Sequence, residues 1–211
     1  MARTIERLVV GPLAGNCYIL KSGAELAVVD PGGDAEMILA KVTELAGTVK
    51  YVVNTHGHID HIAANREVID ATGAQLLIHE LDAKLLAHPD GNLSSLMGMR
   101  LTSPLPNRLL KEGDKIVVGE DEMTVLHTPG HTPGGICLLG SDYVFTGDTL
   151  FVDSIGRTDF PGGSNELMQA SLDRLQTVLR KDTMLYPGHG EPGSFGRALL
   201  VNPFLGSLAV G

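Results

Sequence analysis

A short polar segment in the first third of the chain carries four possible metal ligands. Residues 55–61 read Thr-His-Gly-His-Ile-Asp-His and follow an apolar run, residues 51–53, that is typical of a buried strand. The possible ligands are His56, His58, Asp60 and His61. Histidines two residues apart can share one metal ion, and the Asp–His pair that follows can face a second ion. A solvated polar loop is the alternative interpretation, but such a loop needs no such density of histidine.

Three more possible ligands occur in the same setting further along the chain. His131, Asp148 and His189 each follow a short apolar run that predicts a strand, at residues 123–126, 143–145 and 183–186 respectively. Each lies among glycines, which let neighbouring backbone approach closely. Taken singly they are weak signals, because a lone histidine is more often structural and Asp148 could be a turn residue. Their recurrence in one setting indicates that these side chains meet at one edge of the sheets.

The elements that must position these residues are short strands and amphipathic helices. Runs typical of strands occur at residues 4–10, 17–21, 25–29, 51–53, 75–78, 115–118, 123–126, 135–139, 143–145 and 183–186. Helices are predicted over about 34–45, with Asp34 as the N-cap, and over about 164–179, with Ser164 as the N-cap. Both halves of the chain begin with strands. This order predicts an α+β protein in which two sheets pack together and helices cover them.

Composition and charge narrow the class of protein. The 211 residues are 43% hydrophobic, which is typical of a folded globular chain. Without a break in composition, a single domain over residues 1–211 is expected. The formal net charge of −9 weighs against a nucleic-acid partner. No apolar run is long enough for a membrane span or a signal peptide, so a cytoplasmic protein without a membrane partner is expected. Cys17 and Cys137 are predicted to be buried thiols, and the oligomeric state is open.

Taken in order, the possible ligands make the chain resemble the metallo-β-lactamase superfamily. In that family an H-x-H-x-D-H segment is followed by a His, an Asp and a final His, as in this chain. The resemblance implies an αββα sandwich that binds two divalent metal ions at one sheet edge. The implied ligands are His56, His58 and His131 for the first ion and Asp60, His61 and His189 for the second, with Asp148 bridging them. Zinc is the expected metal, and iron or manganese would also suit these donors.

Two further phrases make the chain similar to the short glyoxalase II-like hydrolases, which resemble hydroxyacylglutathione hydrolases. Residues 145–151 read FTGDTLF and residues 156–164 read GRTDFPGGS. The resemblance implies hydrolysis of a small-molecule thioester such as S-lactoylglutathione by a metal-bridging hydroxide, with Asp60 as the catalytic residue. Arg157 is the expected substrate-binding residue, because a guanidinium pairs well with a carboxylate. The other interpretation of Arg157 is a structural pair with Asp159.

Several alternatives keep the same ligands. The longer glyoxalase II enzymes carry a helical substrate region after the last ligand, but only residues 190–211 follow His189, so no such domain is expected. A persulfide dioxygenase would use one iron ion held by His56, His131 and Asp148, and it shares the Gly-Arg-Thr-Asp phrase. A lactonase also fits. A β-lactamase of the common zinc type fits less well, because it places a cysteine where Asp148 stands. A non-catalytic metal-binding protein is least favoured, because no ligand is missing.

Two other groups of residues have open roles. Leu96, Met97, Met99 and Leu101 could line a substrate cleft, although ordinary packing is the favoured interpretation. His79 and His127 follow apolar strands but fit no ligand position, so a supporting or structural role is expected for both.

Overall fold

A computed structural model describes residues 3–206 as two six-stranded sheets with helices on their outer faces. The first sheet contains β1 (Arg3–Val10), β2 (Gly15–Ser22), β3 (Glu25–Val29), β4 (Thr48–Val53), β5 (Gln75–His79) and β6 (Arg108–Leu110). The second contains β7 (Lys115–Val118), β8 (Asp121–His127), β9 (Ile136–Leu139), β10 (Tyr143–Gly147), β11 (Met184–Pro187) and β12 (Gly193–Ser194). The helices are α1 (Ala35–Leu45), α2 (Ile59–Ile62), α3 (Asn65–Thr72), α4 (Asn165–Val178) and α5 (Phe195–Val201). Two 3-10 helices span Ala83–Ala87 and Ser94–Met97.

Both sheets follow chain order from one edge to the other. The first is β1-β2-β3-β4-β5-β6, antiparallel up to β3 and parallel from there. The second is β12-β11-β10-β9-β8-β7, in which β10 and β11 are parallel. Parallel neighbours end at the same edge of a sheet, so the loops after β3 and β4 lie together, as do the loops after β10 and β11.

The β2 strand shows why the first sheet is buried on both faces. Its side chains alternate, so Ile19 packs in an outer cluster with Ile38 of α1. Tyr18 and Leu20 point the other way, into the layer between the sheets. There the ring of Tyr18 lies 5.3 Å from that of Phe145 in the second sheet. Near-continuous apolar runs such as this one are expected of strands covered on both sides.

The outer face of the second sheet is covered by α4 and α5. Leu172 and Leu175 of α4 and Phe195 of α5 pack on Val144 and Leu185 of the sheet. The layers therefore run helix, sheet, sheet, helix, and the predicted α+β sandwich is confirmed. Within residues 3–206 no helix is both long and apolar enough to cross a membrane. That residues 1–211 form a single domain stays a prediction, because residues 1–2 and 207–211 lie outside the described part.

The two predicted helix caps differ. The Ser164 side chain accepts a hydrogen bond from the Leu167 backbone N–H, 3.3 Å away, as predicted. Asp34 precedes α1, but its carboxylate makes no cap and instead accepts from the Gly11 N–H at 2.8 Å. Asp34 thus fixes the turn between β1 and β2. Cys17 and Cys137 are buried free thiols, as predicted.

Candidate metal centre

The seven predicted ligands lie in four segments that each follow a strand. His56 and His58 lie in the loop after β4, Asp60 and His61 lie in the short helix α2 that follows it, and His131 follows β8. Asp148 comes directly after β10, and His189 comes two residues after β11. The structure brings all seven side chains together where these loops meet.

A first group consists of three buried histidines from two loops. Possible ligand atoms of His56, His58 and His131 all lie within 4.8 Å of one another. His58 Nδ1 is 2.9 Å from His131 Nε2. These are the three residues that the family resemblance assigns to one metal ion.

A second group consists of Asp60, His61 and His189, whose possible ligand atoms also lie within 4.8 Å of one another. The His189 Nε2 atom is 3.1 Å from Asp60 Oδ2. Asp148 reaches both groups, because its Oδ2 lies 3.6 Å from His131 Nε2 and 3.7 Å from His189 Nε2. Its Oδ1 lies 3.5 Å from His61 Nε2. This position between the groups is the one required of a bridging carboxylate.

Two glycines let these loops approach so closely. A Cβ atom on Gly188 would lie 2.2 Å from Asp148 Oδ1, so a side chain there would displace the carboxylate. Gly147 has a φ of 48°, which L side chains rarely adopt, and a Cβ there would lie 2.4 Å from Thr55 Oγ1. The glycines beside Asp148 and His189 are therefore required by contact distances.

Asp30, directly after β3, supports the candidate site and was missed by sequence reasoning. Its buried carboxylate accepts hydrogen bonds from the Thr55 N–H (2.7 Å), the Thr55 hydroxyl (2.6 Å) and His61 Nδ1 (3.1 Å). The Thr55 oxygen lies 3.2 Å from His56 Nδ1. Asp30 thus engages the Nδ1 side of His61 directly and that of His56 through Thr55, which leaves both Nε2 atoms facing the centre. The strand-Asp-Pro-Gly setting of residues 27–32 matches that of the ligands and could have revealed it.

A backbone carbonyl fixes the orientation of His131 in the same way. His131 Nδ1 donates to the carbonyl oxygen of Arg157 at 2.6 Å, so its Nε2 faces the centre. The segment that carries the Gly-Arg-Thr-Asp phrase is therefore packed against a predicted ligand.

Asp82 ties two ligand loops together. Its Oδ1 accepts from the Gly134 N–H at 2.6 Å, and its Oδ2 accepts from the Gly57 N–H at 3.1 Å. The side chain is fully buried, and burial raises the pKa of Asp82 although these hydrogen bonds oppose the shift. Gly57 lies between His56 and His58, and Gly134 lies in the loop of His131. Nothing in the sequence around Asp82 marks this role.

Unpaired atoms in the cluster fit a metal ion. Buried polar atoms are nearly always hydrogen-bonded, so each exception needs a cause. His56 Nε2, His61 Nε2 and Asp148 Oδ1 are buried and have no hydrogen-bond partner among the described residues. Imidazole nitrogens and a carboxylate oxygen are donors that zinc, iron and manganese accept. The residues present therefore fit two divalent ions.

The electrostatics differ between the two groups. Burial and the neighbouring histidines lower the pKa of His56 well below its usual range and that of His58 to about 3. Both are therefore neutral at pH 7, which is the form that ligates metals. Burial alone would lower the pKa of His61, but the carboxylates of Asp60, Asp148 and Asp30 raise it to about 10. The second group thus favours positive charge at its centre.

A cleft of about 420 Å³ opens onto the cluster. Five predicted ligands contribute to its lining, namely His58, Asp60, His131, Asp148 and His189. Leu96 and Met97 also line it and are exposed, so the favoured interpretation of these two as ordinary packing was wrong. Met99 lines a smaller adjacent cavity, and Leu101 packs against the outer core of the first sheet. Distance information was needed to separate them, because all four are apolar residues of one irregular segment.

Arg157 lies at this cleft with its charge already paired. Its Nε and a terminal nitrogen each donate to the Asp159 carboxylate at 2.6 Å. The guanidinium carbon also lies 4.0 Å from the centroid of the Phe160 ring. The structural pair with Asp159 is therefore present, and substrate binding by Arg157 stays a prediction.

The comparisons with known proteins agree with this geometry. The chain matches the family model of the metallo-β-lactamase superfamily over residues 10–189. Hydroxyacylglutathione hydrolase GloC of Haemophilus influenzae is 32% identical, covering 96% of this chain and 98% of that protein. The BLEG-1 B3 metallo-β-lactamase structure has a TM-score of 0.91 at 32% identity, covering 96% of this chain and 100% of its own. TTHA1623, solved in a di-iron-bound form, has a TM-score of 0.86 at 34% identity, covering 95% of this chain and 100% of its own. This chain therefore belongs to the metallo-β-lactamase superfamily.

Proposed function

We propose that this protein is a glyoxalase II-like metallo-hydrolase that cleaves a small-molecule thioester, with S-lactoylglutathione as the first candidate. One observation carries the proposal: two complete ligand groups share Asp148 and face one cleft. The likeness to GloC, a hydroxyacylglutathione hydrolase, supports the substrate class.

The residues divide into two metal-binding sets. His56, His58 and His131 would hold one divalent ion, and Asp60, His61 and His189 would hold a second, with Asp148 contacting both. Zinc is our first choice, and the di-iron form of TTHA1623 supports iron as an alternative. When bound, the ions would supply a hydroxide near neutral pH and polarise a substrate carbonyl.

Asp60 is the proposed catalytic residue. Burial would raise the pKa of its carboxyl, but His61 and His189 hold it well below its usual range, so it stays ionised. The carboxylate lines the cleft, so an oxygen that does not hold the ion could accept a hydrogen bond from the hydroxide that the ions would supply. Attack of that hydroxide on the thioester carbonyl would form a carbon–oxygen bond, and the carbon–sulfur bond would then break. The sulfur would leave as a thiolate with the bonding electrons, so no protein acid is needed.

A persulfide dioxygenase is the second candidate. It is favoured by the position of the Gly-Arg-Thr-Asp phrase, whose Arg157 carbonyl accepts the His131 Nδ1 hydrogen bond. In that reaction His56, His131 and Asp148 would hold one iron ion. Lactone hydrolysis remains a third activity of the same donor set. The likeness to BLEG-1 adds β-lactam hydrolysis to the activities that need testing.

The test is a substrate panel with protein reconstituted with zinc, iron or manganese and checked for metal content. The panel contains S-lactoylglutathione, an uncharged N-acetylcysteamine thioester, a lactone, a β-lactam and a persulfide with oxygen uptake recorded. We expect thioester turnover that Asp60→Ala lowers at least about 100-fold. Asp70→Ala is the matched control, because Asp70 is an exposed acid of α3. If metal-loaded protein hydrolyses no thioester, the proposed function is wrong, and the active member of the panel replaces it.

A further inference from the structure

Apart from the predicted ligands and Arg157, the walls of the cleft are apolar. Segment 93–97 contributes Leu93, Leu96 and Met97, and segment 151–160 contributes Phe151, Gly156, Phe160 and the paired Arg157. The remaining lining residues are Leu13 and Ile59. Outside the ligand set, the cleft thus presents one polar side chain among the described residues.

The charge of that side chain already has a partner. The Arg157 guanidinium makes two 2.6 Å hydrogen bonds to Asp159 and rests on the face of Phe160. A substrate carboxylate would have to compete with Asp159 for it. Glutathione carries two carboxylates and an ammonium group, and buried or half-buried charges need partners. No second cation outside the ligand histidines lines the cleft within residues 3–206.

An aromatic ring flanks each ligand group. The Phe160 ring lies 5.8 Å from the His58 ring, edge to face, and the Phe151 ring lies 6.1 Å from the His189 ring in the same arrangement. The group nearest to the reacting carbonyl would therefore lie beside phenyl rings. Further out, Leu96 is 73% exposed and Met97 is 37% exposed, and both line the cleft. Apolar surface that is exposed beside a catalytic cleft is typical of a binding surface.

We infer that the cleft selects thioesters whose acyl group is apolar and uncharged, with the acyl chain against Phe151, Phe160, Leu96 and Met97. This inference rests on the proposed thioester hydrolysis and narrows its substrate. The acyl group is assigned to these walls because the charged groups of a carrier such as glutathione would meet no cation there besides the paired Arg157. The thiol carrier leaves and can extend outside the cleft, so it needs no charged partner here.

The experiment is a series of acyl thioesters of one uncharged thiol, N-acetylcysteamine, with metal-loaded protein. The acyl groups are acetyl, butanoyl, hexanoyl and lactoyl, and S-lactoylglutathione is included for the carrier. Full burial of one methylene corresponds to about a fourfold gain in kcat/KM as an upper limit. We therefore expect kcat/KM to rise at least about tenfold from acetyl to hexanoyl. We also expect no preference for glutathione over N-acetylcysteamine when both carry lactoyl.

Two leucine variants identify the wall. Leu96→Asn is expected to lower the ratio of the hexanoyl to the acetyl kcat/KM at least about threefold. Leu105→Asn is the matched control, because Leu105 is 77% exposed and lies outside the cleft lining. This control is expected to leave the ratio unchanged. Both side chains are exposed, so neither substitution opens a core cavity.

The outcomes separate this inference from the proposed function. Turnover that is flat along the acyl series, or at least tenfold faster with S-lactoylglutathione than with S-lactoyl-N-acetylcysteamine, overturns the inference and leaves thioester hydrolysis standing. A ratio that Leu96→Asn and Leu105→Asn change equally removes the assigned wall. No turnover of any thioester by metal-loaded protein overturns the proposed function, and this inference falls with it.

Discussion

The histidines of the metal centre and a stacked pair of histidines outside it differ in what their ring nitrogens contact. In the metal centre the rings of His56, His58 and His131 are nearly perpendicular, and His56 Nε2 is buried without a hydrogen-bond partner. Outside the metal centre, His79 and His127 form a stacked pair, whose ring centroids are 4.2 Å apart and whose rings are almost parallel. In that pair His79 Nδ1 accepts from the Leu81 N–H at 3.3 Å, and His127 Nε2 donates to the Pro133 carbonyl at 2.9 Å.

The comparison separates a candidate ligand set from structural histidines. Rings that are perpendicular to one another can point several nitrogens at one ion. The nitrogens of two stacked, parallel rings do not converge on one point. In the stacked pair a backbone group contacts one ring nitrogen of each histidine, so these two nitrogens are satisfied without an ion. In the metal centre the partners lie behind the rings, on the Nδ1 atoms of His61 and His131. Buried ring nitrogens without a hydrogen-bond partner therefore indicate a candidate metal site better than the number of histidines does.

The largest expected effect comes from comparing substitutions of His131 in the metal centre and His127 in the stacked pair, which lie close together in the chain. His131→Ala should lose one equivalent of bound metal and at least about 100-fold in thioester turnover, because its Nε2 faces the centre. His127→Ala should keep the wild-type metal content, because its ring nitrogen contacts a backbone carbonyl. The measurement is metal content by elemental analysis together with kcat/KM. Equal metal loss in both variants would abolish the distinction between the groups.

The next effect concerns Asp30, which supports the metal centre from behind. Asp30→Asn should weaken metal binding about 10- to 100-fold, because an amide cannot accept all three hydrogen bonds that the carboxylate accepts. Asparagine is the suitable replacement, because residue 30 has a φ of 53° and asparagine tolerates that conformation. Competition with a chromogenic chelator measures the affinity. Unchanged affinity would show that the orientation of His61 does not depend on Asp30.

The smallest expected effect is a pH-dependent change in the free energy of unfolding that comes from the stacked pair. Burial, and then the neighbouring His127, lower the pKa of His79 below the ordinary value of 6.5, while Glu80, Glu112 and Asp114 act weakly in the opposite direction. The contribution of His79 to stability is therefore fully present above pH 6.5 and is lost as the pH falls toward its lower folded-state pKa.

His79→Asn is the variant that isolates this contribution. Its side-chain oxygen can still accept from the Leu81 N–H. The free energy of unfolding of wild type minus that of the variant should fall between pH 7.5 and pH 5, as measured by urea denaturation. Taking this difference cancels titration elsewhere. A difference that is constant with pH would show that the stack does not disfavour protonation.

Residue type and spacing were enough to predict the layered fold and the meeting of the seven side chains. The predicted ligands stand out because histidine is rare elsewhere in the chain and each segment follows a strand. The supporting residues do not stand out, because Asp30 and Asp82 are acids whose partners are backbone and side-chain groups distant in sequence. The stack of His79 on His127 likewise joins strands of different sheets, which no local pattern reveals.

Very short strands also could not be predicted from the sequence. The strand β6 has three residues and β12 has two, which is too short for an alternating pattern. The local pattern predicted a helix cap at Asp34, but its carboxylate accepts a hydrogen bond from the Gly11 N–H instead. The pair of Arg157 with Asp159 is visible only in the distances between them, and substrate binding by Arg157 stays a prediction.

The Asp82 bridge has a consequence for the order in which the protein folds. His56 to His61 belong to the half built on the first sheet, whereas His131, Asp148 and His189 belong to the half built on the second. Asp82 joins Gly134 across 52 residues of chain, and Asp60 meets His189 across 129. Contacts of such high sequence separation form late, because loop closure must precede them. The metal centre is therefore completed only when the two halves dock, and ions bound there would add their binding free energy to that final step.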